Sequence, residues 1–300
     1  MSQETQRPVG IVGAGVMGAG IAQCVAQAGH PVVVVDPSRE ALDGGRRRVA
    51  DGLRLSRLLR GSAAGDTAPA PGTDPAGLIR WTTDYGDLDT AWFVVECGPE
   101  RTDVKERIFE QLDKACPEDT VFATNTSAVP VDRLAARTRR PGQVLGMHFM
   151  NPAPLKDTVE VVRGPRTGET TLRQAERLLE MTGKKGIQVG DGPGFVTNRV
   201  LMLTCNEAAQ VVQEGTADAK TVDRIFRDCF GHPMGPLETG DLIGWDVIVD
   251  TLHVLREHTG DPKFTPCELL VGMVERGETG RKAGRGFFTH TAAGARGGAR

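Results

Sequence analysis

The chain has 300 residues, more than one hydrophobic core usually organises, so two domains are the natural expectation. Hydrophobic residues make up 39% and charged residues 25%, and a formal net charge of -3 gives no basis for nucleic acid or an anionic membrane as a partner. The polar first eight residues lack the apolar stretch of a signal peptide, and the longest aliphatic run, Val32 to Val35, is too short to span a bilayer.

In chain order, Val9 to Val12 reads as a buried strand and Gly13 to Gly18 as a glycine-rich turn. Val16 to Ala28 carries apolar residues at helical spacing (Met17, Ile21, Val25, Ala28) until Gly29 stops it. A second strand, Val32 to Val35, ends at Asp36, and Ser38 is placed to cap the next helix. Residues 61–77, with Gly61-Ser62-Ala63-Ala64-Gly65 and Pro69-Ala70-Pro71-Gly72, cannot hold a regular helix and read as a surface loop. The alternation resumes with a strand at Trp92 to Cys97 and a helix at Thr102 to Ala115. Strands at Val121 to Ala123, Gln143 to His148 and Val159 to Val162 follow, then a helix at Thr170 to Thr182 and a strand at Ile187 to Val189. Such alternation implies an α/β Rossmann domain, a doubly wound and mostly parallel sheet with helices on both faces. After Asp191-Gly192-Pro193-Gly194 the strands stop, and helical patterns cover 195–214, 218–230, 236–258 and 265–276. The expected division is an α/β domain over 1–190, an all-α domain over 191–290 and a disordered tail over 291–300. The six cysteines (24, 97, 116, 205, 229, 267) form no C-x-x-C pair, and the histidines show no metal spacing. That pattern predicts reduced thiols in a cytoplasm and no metal.

Gly13-Ala14-Gly15-Val16-Met17-Gly18 matches the dinucleotide fingerprint G-x-G-x-x-G. Its glycines permit a sharp turn, close approach of backbone to a pyrophosphate, and tight helix–strand packing at a helix N-terminus that favours phosphate. Glycine-rich turns that bind nothing are common, but here a strand precedes and a helix follows. Asp36 is spaced to accept hydrogen bonds from an adenine ribose, and its charge repels a 2′-phosphate, so NAD is expected over NADP.

Hydride removal from an alcohol needs a base that works near neutral pH. His148 ends an apolar strand at the carboxyl edge of the sheet, where ligands bind in open α/β folds. A lone histidine at a strand end is more often structural, and the surrounding motifs change that balance. They are Thr124-Asn125-Thr126-Ser127, Gly146-Met147-His148-Phe149-Met150-Asn151-Pro152, Val159-Glu160-Val161 and Gly192-Pro193-Gly194-Phe195-Val196-Thr197-Asn198-Arg199. Later come His232-Pro233-Met234-Gly235-Pro236 and Gly280-Arg281-Lys282-Ala283-Gly284-Arg285-Gly286-Phe287-Phe288. In this order, from Val9 to Phe288, the chain resembles the L-3-hydroxyacyl-CoA dehydrogenase family, including bacterial 3-hydroxybutyryl-CoA dehydrogenases.

The resemblance implies NAD-dependent oxidation of a 3-hydroxyacyl thioester, or its reverse. His148 would be the general base and Glu160 its orienting carboxylate, with Ser127 and Asn198 holding the reacting oxygen. Glu100, Lys105, Asn125, Ser127, Asn151 and Lys282 fall at positions near the nicotinamide half of the cofactor. It also implies a homodimer formed through the helical domain. From the residues alone, Glu160 would be an exposed strand carboxylate, Asn198 a helix cap and Lys105 a solvated helix charge.

Two departures bear on the substrate. Asp157 replaces a lysine in the stretch Pro154-Leu155-Lys156-Asp157-Thr158, a charge reversal near the pocket rim. Gly52 and Leu59 stand where the family has polar contacts to the CoA nucleotide, with Arg54, Arg57 and Arg60 as neighbouring substitutes. An alternative thioester carrier is therefore an acyl carrier protein bearing a short hydroxyacyl group, such as glyceryl for a polyketide extender unit. An acidic carrier could dock on Arg46-Arg47-Arg48 or on Arg137, Arg139 and Arg140, which otherwise read as solvated helix faces. A free hydroxy acid or polyol as substrate, and a non-catalytic NAD-binding protein, are the other readings.

Overall fold

The computed structural model describes residues 7–60 and 74–290, the side chains of residues 59 and 60 excepted. Most of the expected surface loop at 61–77 and the whole expected tail at 291–300 lie outside the described residues. The chain divides into two compact units between Phe195 and Val196.

The first unit alternates β1 (Val9–Val12), α1 (Val16–Gln27), β2 (Val32–Val35), α2 (Arg39–Arg60), β3 (Ile79–Thr82), β4 (Phe93–Glu96) and α3 (Thr102–Ala115). It continues with β5 (Val121–Thr124), α4 (Val131–Ala135), β6 (Val144–Phe149), β7 (Thr158–Arg163), α5 (Glu169–Met181) and β8 (Lys185–Gly190). One eight-stranded sheet has the order β3-β2-β1-β4-β5-β6-β7-β8. The order reverses at β1, where the carboxyl ends of β1 and β4 open the crevice used for ligands in this fold. The expected parallel sheet is observed with one exception, since β7 runs antiparallel to β6. The four-residue strand β3, which the apolar pattern did not predict, pairs with β2.

Strands such as Val32–Val35 are apolar at every position because both faces are covered. Val9, Ile11, Val32, Val34, Leu145 and Met147 pack with helices α1, α2 and α5 on one side. Val12, Val33, Val35, Phe122, Val144 and Val162 pack with α3 and α4 on the other. Ser38 caps α2 as expected, its hydroxyl accepting the Ala41 N–H at 3.1 Å.

The second unit is built of helices α6 (Thr197–Gln213), α7 (Ala219–Phe230), α8 (Pro236–Ile243), α9 (Trp245–Thr259) and α10 (Glu268–Glu275) around Trp245, Leu252, Leu255, Phe264 and Leu270. The single helix expected over 236–258 is two helices. Gly244, at φ +109°, leaves helical geometry, so α8 ends at Ile243 and α9 starts afresh at Trp245. Among the described residues this unit has no strand, only isolated bridges joining Gly280 to Arg285 and Arg285 to Thr289. Asp241, fully buried, anchors that segment by accepting the N–H groups of Phe287 at 3.0 Å and Phe288 at 2.9 Å. Among the described residues no helix is long and apolar enough to cross a membrane.

Candidate active site

The glycine turn joins β1 to α1, and Gly13 and Gly18 each have a separate steric reason. Gly13 sits at φ +103°, and a Cβ there would lie 2.6 Å from the Cys97 carbonyl oxygen. A Cβ on Gly18 would lie 1.8 Å from the carbonyl oxygen of Gly13, so only glycine lets the helix start this close to the strand. A Cβ on Gly15, by contrast, would meet nothing within 4 Å, so the face of the turn is open. No side chain caps the N-terminus of α1, and Val16 is exposed beside it. An open, uncapped helix N-terminus behind a glycine turn suits a pyrophosphate. Asp36 stands at the end of β2 and braces this turn. Its Oδ2 accepts the Ala14 N–H and its Oδ1 the Ser38 N–H, each at 2.9 Å. The residues present therefore fit NAD.

His148 and Glu160 lie directly opposite each other on the antiparallel strands β6 and β7. Their side chains share a face of the sheet. Glu160 Oε2 is 3.0 Å from His148 Nδ1, and both residues are buried, at 7% exposure for the histidine and 6% for the glutamate. The exposed-carboxylate reading of Glu160 is thus wrong, because pairing across the antiparallel register turns it inward. With Nδ1–H donating to the carboxylate, Nε2 carries the lone pair, and that nitrogen lies 3.4 Å from Ser127 Oγ. Phe195 stacks edge-on against the imidazole, centroids 5.9 Å apart, from a backbone at φ +50°. A phenylalanine held in that left-handed region is uncommon, and here the strained conformation delivers the ring to the histidine.

Asn125 follows β5, and its Oδ1 accepts the Phe149 N–H at 2.8 Å, tying the ends of β5 and β6 together. Asn151 precedes a cis peptide to Pro152 and lines a groove of about 350 Å³. Its walls include Val16 and Gly20 of α1, Gly52 and Leu55 of α2, and Pro152–Leu155. A Cβ on Gly52 would fall 2.1 Å from Gln23 Oε1, so the buried glutamine fills the space a serine would need. The exposed Asp157 lies in the same β6–β7 connection. Buried Lys184 pins that connection by donating to the carbonyl oxygens of Ala153 at 2.8 Å and Lys156 at 2.7 Å.

Lys105 is not a solvated helix charge. It is fully buried, with Nζ 2.9 Å from both carboxylate oxygens of Glu96 and 3.3 Å from Glu100. Glu100 Oε1 in turn accepts the Thr126 hydroxyl and the N–H groups of Ser127 and Ala128, both at 2.9 Å. Burial pushes the Glu100 carboxyl upward, but Lys105 and these hydrogen bonds outweigh it and hold it below the usual range. Burial likewise disfavours the charged Lys105, and Glu96 and Glu100 more than compensate. Sequence reasoning missed Glu96. The available signal was a carboxylate ending the otherwise apolar strand Phe93–Glu96.

Asn198 and Lys282 belong to the second unit. Asn198 lies buried in the first turn of α6, and Lys282 forms an ion pair with Asp246 at 2.5 Å. The arginines suggested for carrier docking are partly engaged within the fold. Arg137 meets Glu106 at 2.7 Å, while Arg139 and Arg140 share Asp113 at 2.8 and 3.0 Å. Arg46 pairs with Asp43, and Arg47 and Arg48 are exposed. Among the described residues no cluster of three histidines, cysteines or carboxylates is placed to hold a metal.

Residues 8–192 match the NAD-binding domain of 3-hydroxyacyl-CoA dehydrogenase, and residues 194–290 match that family's C-terminal domain. The chain belongs to the 3-hydroxyacyl-CoA dehydrogenase family. It is an NAD-dependent oxidoreductase. It is 42% identical over 281 residues to a Deinococcus radiodurans protein named "Probable 3-hydroxybutyryl-CoA dehydrogenase", covering 94% of this chain and 99% of that one. The crystal structure of Mycobacterium tuberculosis FadB2 superposes with a TM-score of 0.88 at 37% identity, over 96% of this chain and 100% of the other. That of (S)-3-hydroxybutyryl-CoA dehydrogenase PaaH1 from Ralstonia eutropha gives 0.86 at 40% identity, over 95% and 99%.

Proposed function

We propose that this member of the family oxidises the hydroxyl of a short 3-hydroxyacyl thioester to the ketone, and catalyses the reverse reduction, with CoA as the carrier. The observation that carries this reading is the His148–Glu160 pair, 3.0 Å apart, with Nε2 directed at Ser127. NAD, when bound, supplies the hydride-accepting nicotinamide. His148 Nε2 takes the hydroxyl proton, and Glu160 neutralises the imidazolium that forms. The Ser127 hydroxyl donates to the substrate oxygen, and by resemblance Asn198 adds a second donor. Burial of His148 and Glu160 strengthens their attraction, because little water screens it.

The glycine turn 13–18 and Asp36 are read as the pyrophosphate and ribose contacts, with Glu100, Lys105, Asn125, Asn151 and Lys282 toward the nicotinamide. The groove beside Asn151 is read as the path of the thioester arm, with the exposed Arg47 and Arg48 near the phosphates of CoA. CoA is favoured over a carrier protein because Arg139 and Arg140 are bound up with Asp113. The six cysteines are free thiols, in keeping with a cytoplasmic protein, and a homodimer through the helical unit is inferred from the family resemblance.

The test is NADH formation from NAD and L-3-hydroxybutyryl groups presented on CoA and on a carrier protein. Turnover of the CoA form, lost in His148→Ala with NAD affinity kept, supports the proposal. Turnover on the carrier alone assigns the other partner, and NAD binding without turnover of either refutes the substrate class.

A further inference from the structure

Among the described residues Glu96 is the most deeply buried carboxylate of the α/β unit, and it has no part in the chemistry above. A carboxylate withdrawn from water is strongly destabilising unless it is paired and hydrogen-bonded. Glu96 is fully satisfied. Its Oε1 accepts the Gly98 N–H at 2.6 Å and its Oε2 the Thr124 hydroxyl at 2.7 Å, while Lys105 Nζ lies 2.9 Å from each oxygen. Lys105 also touches the Gly98 carbonyl at 3.3 Å. From there the contacts continue outward. Lys105 meets Glu100, and Glu100 takes the N–H groups of Ser127 and Ala128. The Thr126 hydroxyl, which donates to Glu100, accepts the Val129 N–H at 2.9 Å. A continuous polar chain thus runs from the end of β4 to the turn that presents Ser127 to His148.

Two carboxylates share one ammonium in this chain. Glu96 holds it at both oxygens and from a fully buried position, whereas the Glu100 side chain is 41% exposed and meets it at one. Without the charge on Glu96, the buried ammonium would have Glu100 as its remaining carboxylate. It would draw that group away from the peptide it anchors.

We propose that Glu96 is a positioning residue, which fixes Lys105 so that Glu100 is free to hold the Ser127 peptide and aim its hydroxyl at His148. This rests on the reading of Ser127 and His148 as the reacting pair. Glu96 acts through Lys105 and Glu100 and touches neither substrate nor the reacting atoms.

The experiment is a double-mutant cycle in the full-length enzyme with L-3-hydroxybutyryl-CoA. Glu96→Gln keeps the shape and the acceptor for Gly98 and removes the charge. In the wild-type background kcat is expected to fall by about tenfold or more, with the KM for thioester and the Kd for NAD within about threefold. In a Ser127→Ala background the same substitution should change kcat by less than about threefold, because there is no hydroxyl left to aim. An equal loss in both backgrounds, as general loosening of the fold would give, overturns the proposal, and so does an unchanged kcat. If Glu96→Gln does not fold, Glu96→Asp keeps a carboxylate but withdraws it from Lys105 Nζ by one methylene, and it enters the same cycle. Its kcat loss should likewise vanish in the Ser127→Ala background, and an equal loss overturns the proposal. Full turnover by Ser127→Ala alone would instead overturn the reaction-centre reading, and the proposal with it.

Discussion

Glu160→Gln is the most informative substitution at the dyad. The side chain keeps its shape and one acceptor oxygen, but the charge opposite His148 Nδ1, now 3.0 Å away, is gone. With charge centres roughly 4 Å apart and an effective dielectric constant of about 20, the lost attraction to the imidazolium is about 4 kcal/mol. The remaining amide dipole recovers a fraction, so the barrier to proton removal should rise by roughly 3 kcal/mol, about a hundredfold in kcat. A second effect acts in the same direction. If the amide NH2 turns toward Nδ1, the imidazole carries its proton on Nε2 and loses the lone pair that accepts the substrate proton. NAD affinity should be unaltered, since Glu160 pairs with β6 and not with the glycine turn. Initial rates of NADH formation and a separate NAD titration measure both. A loss of kcat smaller than about threefold would falsify the claim that Glu160 stabilises a charge developing on His148.

Gly18→Ala places a Cβ 1.8 Å from the Gly13 carbonyl oxygen, so the turn must open and NAD affinity should fall by about tenfold or more, read by titration, while the protein stays folded. Asp113 is buried, which pushes its carboxyl upward, yet hydrogen bonds from Arg139 and Arg140 hold it below the usual range. Its folded pKa is depressed, so its contribution is complete above the unfolded value of about 3.9 and is lost as pH falls through the lower folded value. Asp113→Asn should therefore lower the urea midpoint at pH 7 by the equivalent of about 1–3 kcal/mol, and the gap to wild type should narrow as pH falls below the usual carboxylate range. Gly244→Ala forces an L-residue to φ +109° with its Cβ 2.9 Å from Asp246 Oδ1. A loss of roughly 1–2 kcal/mol is expected, and unaltered unfolding would mean that the α8–α9 break does not depend on glycine.

Much of the first unit was legible because its signals are local. A glycine turn flanked by apolar runs, and strands apolar at every position, announce themselves within a dozen residues. The elements that escaped are those decided by partners distant in sequence. Ile79–Thr82 carries Arg80 and Trp81 and lacks the aliphatic signature, and it becomes a strand because β2 is beside it. The antiparallel direction of β7 follows from the tight connection after Phe149, which composition does not reveal. The break at Gly244 was hidden because one glycine in a helical pattern costs only about 1 kcal/mol and is often absorbed. At the site, His148 was placed by its strand and its motif, and family resemblance was needed to see Glu160. Of the buried Glu96–Lys105 pair, only Glu96 left a signal, as the carboxylate ending an apolar strand; Lys105 had none that separates it from solvated helix charges, since its burial comes from the packing of α3 against β4. Phe195 was quoted within a motif, and its role came only with its backbone conformation.

The β6–β7 hairpin divides into stem and tip. The stem holds His148 against Glu160 through strand register, a constraint that any one-residue slip would break by sending one of them to the opposite face. The tip, residues 150–157, is clipped to the rest of the sheet by Lys184 and forms one wall of the groove. Changes at Pro154 or Leu155 therefore reshape that wall without entering the stem. A lineage with this hairpin can recast the groove at one end while the His148–Glu160 pairing stays fixed at the other, and a designer can randomise the tip on the same terms.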